Sequence, residues 1–492
     1  MRLKTGAGVD WRYRSQGQHR QFFDFPNPPI ALRFMQFSAE SVLALAPDAA
    51  SVKAANGLTK PGQWPMLGAN EVALWGECQG SSRYETQVDL AGPSFRCSCP
   101  SRKFPCKHGL ALLLLWAKNP AQFQASAPPA WVTEWLAERA QRTQKKEEKQ
   151  QQKTADKAAQ QAAQAADPHA EASARKTVDK RWSRIDKGVA ELQQWLADQI
   201  GHGLGHLTPD SRAAWEAMAA RLVDAQAPGL AARLGYAAEA LLDGPHWPGN
   251  VLRRLGMLQL ACDAVARRAA LDEGASADVR ALLGWPADKD TILAQSPPVT
   301  DAWRVLGVIQ EERDNRLLER RVWLQGLRTG QRAFLLDHTF AGRVFESSWV
   351  ALSTVEATLV FYPSAAPLRA LVVRSQTSAL PGQQPALPAG TAPLDEWRGV
   401  AQRVAANPWS HLHPLLCCDA TLHYDAEAAD SRFRLQWGDM ALPLQLHLSD
   451  GWALLALSGG QPLTLQGEWD GTHLRPLSAV GPEGFWIWTP RT

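Results

Sequence analysis

The sequence predicts an α+β multidomain protein: an N-terminal region holding a small metal-bound ββα unit, a helical middle region, and a mostly antiparallel β-rich C-terminal domain. Three observations predict it. Three cysteines and a histidine crowd into Cys97 to His108. Apolar residues recur every three or four positions from Trp182. Beyond Pro297-Pro298, short period-two segments alternate with glycine turns. A length of 492 residues suggests three or so domains at roughly 150 residues each.

Composition narrows the function classes. Hydrophobic residues make up 45% and charged residues 21%, which excludes a wholly disordered or fibrous chain. A net charge of +3 excludes a globally basic nucleic-acid binder, so any such surface must be local. Seven cysteines, three of them between positions 97 and 106, are too few and too uneven for a disulfide scaffold and point to metal in a reducing compartment. The N-terminus has no apolar run behind its charges, and Leu110 to Ala117 is far short of the ~18 residues that span a bilayer. The expectation is a cytoplasmic protein with no membrane segment.

The first region, residues 1–135, is rich in Trp, Phe and basic residues. Tyr84, Thr86, Val88 and Leu90 share one face at period two, Val72, Leu74 and Gly76 alternate likewise, and Gly80-Ser81-Ser82 supplies a turn, so a hairpin leads to the cysteines. Gly109 to Ala117 reads as a largely buried helix. Residues 136–180 form a charged, Ala- and Gln-rich linker of strong helix formers with little to bury. Over 181–298, Trp182, Ile185, Val189, Leu192 and Leu196 fall on one helical face, and helices continue to about Leu283. Residues 299–492 carry β segments at Arg321 to Leu327, Ala333 to Leu336, Thr358 to Tyr362, Ala370 to Arg374, Phe433 to Trp437 and Leu442 to Leu448, with turns at Thr329-Gly330, Pro381-Gly382, Gly438-Asp439, Gly459-Gly460 and Asp470-Gly471. A helical insertion is expected near Leu394 to Leu416.

The chemistry lies in Phe95 to His108, which reads C-x-C-x6-C-x-H. Three soft thiolates and an imidazole, from Cys97, Cys99, Cys106 and His108, are the donor type and number of one closed structural Zn2+ site, with no open position for water. A strand can deliver Cys97 and Cys99, while Cys106 and His108 open the following helix, whose N-terminus favours thiolate. Pro100 and Pro105 stiffen the loop between the pairs.

This arrangement, C-x-C then C-x-H, preceded by a hairpin and followed by an apolar helix, resembles the SWIM-type zinc finger over about residues 70–118. The resemblance implies a zinc-stabilised ββα unit used for DNA binding or protein contact. It is also similar to bacterial stand-alone SWIM proteins, which implies an AAA+ ATPase of the MoxR type or a von Willebrand factor A domain protein as partner. Residues 119–492 match nothing in the finger motif.

Arg96, Arg102, Lys103 and Lys107 surround the ligands, with Lys118 beyond and no Asp or Glu from Ser94 to Lys118. They read either as phosphate contacts, supplemented by Arg12, Arg14, Arg20 and Arg33, or as cations that screen the thiolates. Trp11 and Arg12-Tyr13-Arg14 are the one stretch suited to base stacking. Trp75, Trp182, Trp215, Trp303, Trp323, Trp437 and Trp469, and Cys78 and Cys262, read as core. His411, His413, Cys417, Cys418 and His423 are dense enough to raise a second metal, but sit in an apolar context that favours packing. No nucleotide-binding, serine-hydrolase or metalloprotease motif is present. The sequence therefore reads as non-enzymatic: a zinc protein whose finger binds DNA or a protein, or alternatively an adaptor without nucleic-acid affinity.

Overall fold

The computed structural model describes residues 37–90, 93–166, 168–208, 211–242, 247–313, 317–340, 345, 347–376, 386–428 and 431–489. Trp11, Arg12, Tyr13, Arg14, Arg20, Arg33 and the Pro381-Gly382 turn lie outside the described residues.

The N-terminal unit packs α1 (Ala39–Leu43), α2 (Ala49–Gly57) and α3 (Lys107–Lys118) on a sheet of β1 (Met66–Ala69), β2 (Ala73–Gln79), β3 (Arg83–Asp89), β4 (Ser94–Cys97) and β5 (Gln124–Ala125). Strand order is β4-β3-β2-β1-β5. The expected hairpin is β2–β3, turned at residues 80–82. Its core is Leu74, Cys78, Val88 and the leucines of α3. The expected alternation in the first strand is incomplete, because Ala73 and Trp75 on the opposite face are also buried, under Val132.

Val132 belongs to α4 (Ala130–Ala166), which with α5 (Pro168–His202) makes the Ala- and Gln-rich segment helical. Ile185, Val189, Leu192 and Leu196 then bury as their spacing requires, against α6 (Arg212–Asp224), α7 (Pro228–Glu239), α8 (Trp247–Ala266) and α9 (Glu273–Leu282). Proline at the first position starts α7, where no amide is missed, and the Asp272 carboxylate caps α9 by accepting from the Ala275 amide at 2.8 Å. A short α10 (Lys289–Gln295) leads to the β region.

Five strands, β6 (Pro298–Arg313), β7 (Leu317–Gly326), β8 (Arg332–Phe340), β9 (Thr354–Phe361) and β10 (Ala370–Gln376), pair in the order β10-β9-β6-β7-β8. The long β6 pairs with β9 along its first half and with β7 along its second, bending at a bulge between Val305 and Gly307. A parallel bridge from Phe334 to Arg369 brings β8 beside the start of β10. The sheet thus curls into a five-stranded barrel with the pairing of the OB type.

The last unit is α11 (Pro393–Ala406), β11 (His413–Tyr424), β12 (Phe433–Trp437), β13 (Met440–Pro443), α12 (Leu448–Ser458), β14 (Leu463–Trp469), β15 (Leu474–Gly481) and β16 (Gly484–Ile487), with strand order β13-β12-β11-β14-β15-β16. Two expectations are corrected. The helix expected to reach Leu416 stops at Ala406, because Pro408 disfavours helical backbone at Asn407, and His413 to Leu416 enter β11. The strand expected to reach Leu448 stops at Pro443, and His447 caps α12 instead, accepting from Ser449 N.

Candidate metal centre

Hydrogen bonding in the hairpin places the first two ligands. Thr86 of β3 is the register partner of Cys97 at the end of β4, and its hydroxyl lies 3.2 Å from the Cys97 sulfur. One residue on, Ser98 is tied to Glu85 in both directions, donating N–H to its carbonyl and accepting from its amide through Oγ, each at 3.0 Å. The chain turns back there, which brings Cys99 beside Cys97.

The second pair comes from the helix start. Cys106 is the N-cap of α3, and its sulfur accepts from the Gly109 amide at 3.4 Å. His108 is buried in the first turn, with Nδ1 3.7 Å from the Cys97 sulfur. The Tyr84 ring stacks on the imidazole at 4.9 Å between centroids and 29° between planes. One candidate ligand atom from each of Cys97, Cys99, Cys106 and His108 lies within 4.8 Å of every other. A tetrahedral zinc with bonds of about 2.3 Å to sulfur and 2.0 Å to nitrogen needs edges of about 3.6 to 3.8 Å. The set therefore fits one structural zinc ion, with all four positions filled by protein.

The thiols also interact with one another. The Cys106 thiol donates to Cys97 and holds the Cys97 thiol well below its ordinary pKa, against burial, with His108 and Thr86 adding to the effect. The same contact, with burial, pushes Cys106 up. Binding zinc must therefore expel protons, most of all from Cys106. Cys78, on β2, is pushed up to about 11 by burial and stays a thiol in the core.

The four surrounding cations divide into two kinds. Arg96 lies 3.6 Å from Glu138 of α4, and Lys103 lies 2.7 Å from Asp48, the N-cap of α2. Arg102 and Lys107 are exposed and form no ion pair among the described residues. Sequence reasoning treated all four alike, because Asp48 and Glu138 lie far from them along the chain. It also placed Tyr84 and Thr86 on one strand face without seeing that they back the ligands; their shared period-two register leading to Cys97 was the available signal.

The remaining cysteines and histidines are not gathered. Cys417 is fully buried beside Leu415 and Leu465, Cys418 points to the other face of β11 towards Gly390, and His423 is exposed. Cys262 lies in the helical core. Among the described residues, the only group of His, Cys, Asp and Glu arranged to hold a metal is the one at residues 97–108. Trp75, Trp215, Trp303, Trp323 and Trp437 are core residues, as expected.

Such a four-ligand cluster between a hairpin and a buried helix defines a closed zinc finger. Comparison with protein families matches residues 87–117 to the SWIM zinc finger and residues 180–283 to the SWIM-associated four-helix bundle domain. The chain thus carries a segment similar to the SWIM zinc finger, and the likeness extends beyond the finger into the helical region. Comparison with curated proteins and with solved structures gave no match. No helix among the described residues is long and apolar enough to cross a membrane.

Proposed function

We propose that the protein is a non-enzymatic adaptor in which zinc stabilises the finger and the chain docks a protein partner. The observation that carries this reading is the burial of α3 along its whole length from His108 to Trp116. A finger that reads DNA through its helix must present a helix face to the major groove, and this helix has none to present. Two further features support it. Two of the four cations beside the ligands are paired within the chain. The outer face of β7 and β8, the ligand face of an OB-type barrel, is covered by the C-terminal sheet: Arg321 and Trp323 bond to Glu468, and Arg332 bonds to the Pro414 carbonyl at 2.9 Å. The zinc serves folding rather than hydrolysis, since its protein ligands leave no open position.

The partner class that the SWIM resemblance implies, a MoxR-type AAA+ ATPase or a von Willebrand factor A domain protein, is the first to test. The experiment is co-purification of the zinc-loaded full chain with those candidates, beside a salt titration against duplex and single-stranded DNA. Protein capture with no DNA affinity tighter than the non-specific range of about 10⁻⁴ to 10⁻⁶ M is expected. A second reading rests on Arg102 of the finger loop and Lys107 at the start of α3, which form no ion pair among the described residues. Steeply salt-dependent DNA binding, lost in Arg102→Glu/Lys107→Glu, would establish it and overturn the adaptor proposal.

A further inference from the structure

The outer surface of the four-helix bundle carries a feature that its packing does not require. On α8, Leu252, Gly256 and Leu260 fall at i, i+4 and i+8 on one exposed face, with Leu252 54% and Leu260 42% exposed. On the neighbouring α7, Tyr236 is 51% exposed, its ring covered on one side by the guanidinium of Arg254, which leaves α8 on the flank away from Leu252. Gly256 is in a helix interior, where glycine costs about 1 kcal/mol relative to alanine. A side chain there would meet nothing within 4 Å, so no contact among the described residues explains the glycine.

Cations of one type frame this apolar stripe. Arg233 is held against His411 Nε2 at 2.6 Å and donates to the Trp409 carbonyl at 3.0 Å. Among the described residues no carboxylate pairs with Arg233 or with the exposed Arg253. Burial, and after it the fields of Arg233, His413 and Arg253, push the His411 pKa down, so this imidazole adds no charge of its own beside the arginines. The only carboxylate of α8, Asp263, accepts from Gln259 at the far end of the helix, and the only one of α7, Glu239, lies in its last turn.

We infer that this face of α7 and α8 is the docking surface for an acidic, amphipathic helix of a protein partner. The charge calls for carboxylates, and the apolar stripe calls for aliphatic anchors. Tyrosine and arginine with exposed leucines, and no lysine on either helix, match the composition of protein interfaces rather than a phosphate track. The open side of Gly256 lets the partner helix approach closely. Residues 1–36 hold more arginine and lysine than acid, the opposite of the charge this surface calls for. This inference rests on the adaptor reading.

The test is fluorescence anisotropy with the zinc-loaded full chain. The probes are a helical peptide with leucine at i, i+4 and i+8 flanked by glutamates, a scrambled peptide of the same composition, and a short DNA duplex. The helical peptide is expected to bind at least tenfold tighter than the scramble. Gly256→Gln and Arg253→Glu are each expected to weaken it tenfold or more, with unchanged zinc content and an unfolding midpoint no lower than that of the wild type, Gly256→Gln being raised by its better helix propensity. Equal binding of both peptides, or insensitivity to both substitutions, would overturn the surface, as would duplex binding abolished by Arg253→Glu. If Gly256→Gln still captures the adaptor's partner as well as wild type, the surface is wrong and the adaptor reading stands; if neither captures any candidate, the adaptor reading itself has failed.

Discussion

Arg321 and Glu468 form a buried two-pronged ion pair between β7 and β14, with Nε to Oε1 at 2.9 Å and Nη2 to Oε2 at 3.1 Å. Trp323 donates to the same carboxylate at 2.8 Å, and Arg321 also bonds Glu311 and Glu319. The pair joins the barrel to the C-terminal sheet. Around it pack Leu306, Ile309 and Leu477, with Leu477 seated against Gly307, where a Cβ would come within 2.5 Å of it.

Removing Glu468 leaves Arg321 its bonds to Glu311 and Glu319 but strips its Nε and Nη2, and the Trp323 indole, of their buried acceptor, a loss bounded above by the roughly 3–5 kcal/mol of breaking an isolated buried pair. Glu468→Ala is therefore expected to lower the chemical denaturation midpoint sharply. Replacing both residues, in Arg321→Met/Glu468→Leu, is expected to recover most of that loss. A double variant as unstable as the single one would show that the pair is not what joins the two units.

Where α7 begins, Gly229 meets the end of α9 so closely that a Cβ would stand 2.0 Å from the Leu282 carbonyl oxygen. That neighbour is backbone and cannot rotate away. Gly229→Ala is expected to destabilise the bundle by about 1–3 kcal/mol despite alanine's better helix propensity, read as a lower thermal midpoint. A neutral or stabilising result would contradict this packing.

Burial, with Arg403 adding, holds the pKa of His413 down to about 4, from an ordinary 6.5. Between those values the unfolded chain binds the proton that the folded chain refuses, so stability falls as pH drops from about 6.5 towards 4. His413→Asn, which stays neutral, is expected to lose less stability over that window, by about 2 kcal/mol. Parallel pH profiles for variant and wild type would overturn the assignment.

The finger was the most legible part of the sequence, because its donors lie within twelve residues and their spacing alone selects a tetrahedral site. The face of α5 through Ile185, Val189 and Leu192 was legible for the same reason: periodicity is local. What the sequence hid was long-range. Lys103 and Asp48, or Arg96 and Glu138, pair across distances along the chain that no local pattern reports. The start of β11 was read as helix because Leu415 to Cys417 is a short apolar run without alternation, the case in which period cannot separate a buried strand from a helix. The closure of the barrel rests on one bridge between Phe334 and Arg369, again invisible to local reading.

Zinc removal tests the energetic role of the finger. Cys106→Ser removes a ligand but leaves a hydroxyl able to cap α3, and is expected to lower the thermal midpoint of the N-terminal unit while leaving the helical content of the bundle in place. Loss of bundle helicity in the same variant would mean that the metal supports the whole chain.

The most direct test of the central claim is the metal content of the purified full chain by elemental mass spectrometry, beside the Cys97→Ser/Cys99→Ser variant. One zinc per chain in the wild type, and none in the variant, is the result expected from Cys97, Cys99, Cys106 and His108. A folded wild type without zinc, or a variant that keeps its zinc, would contradict the account.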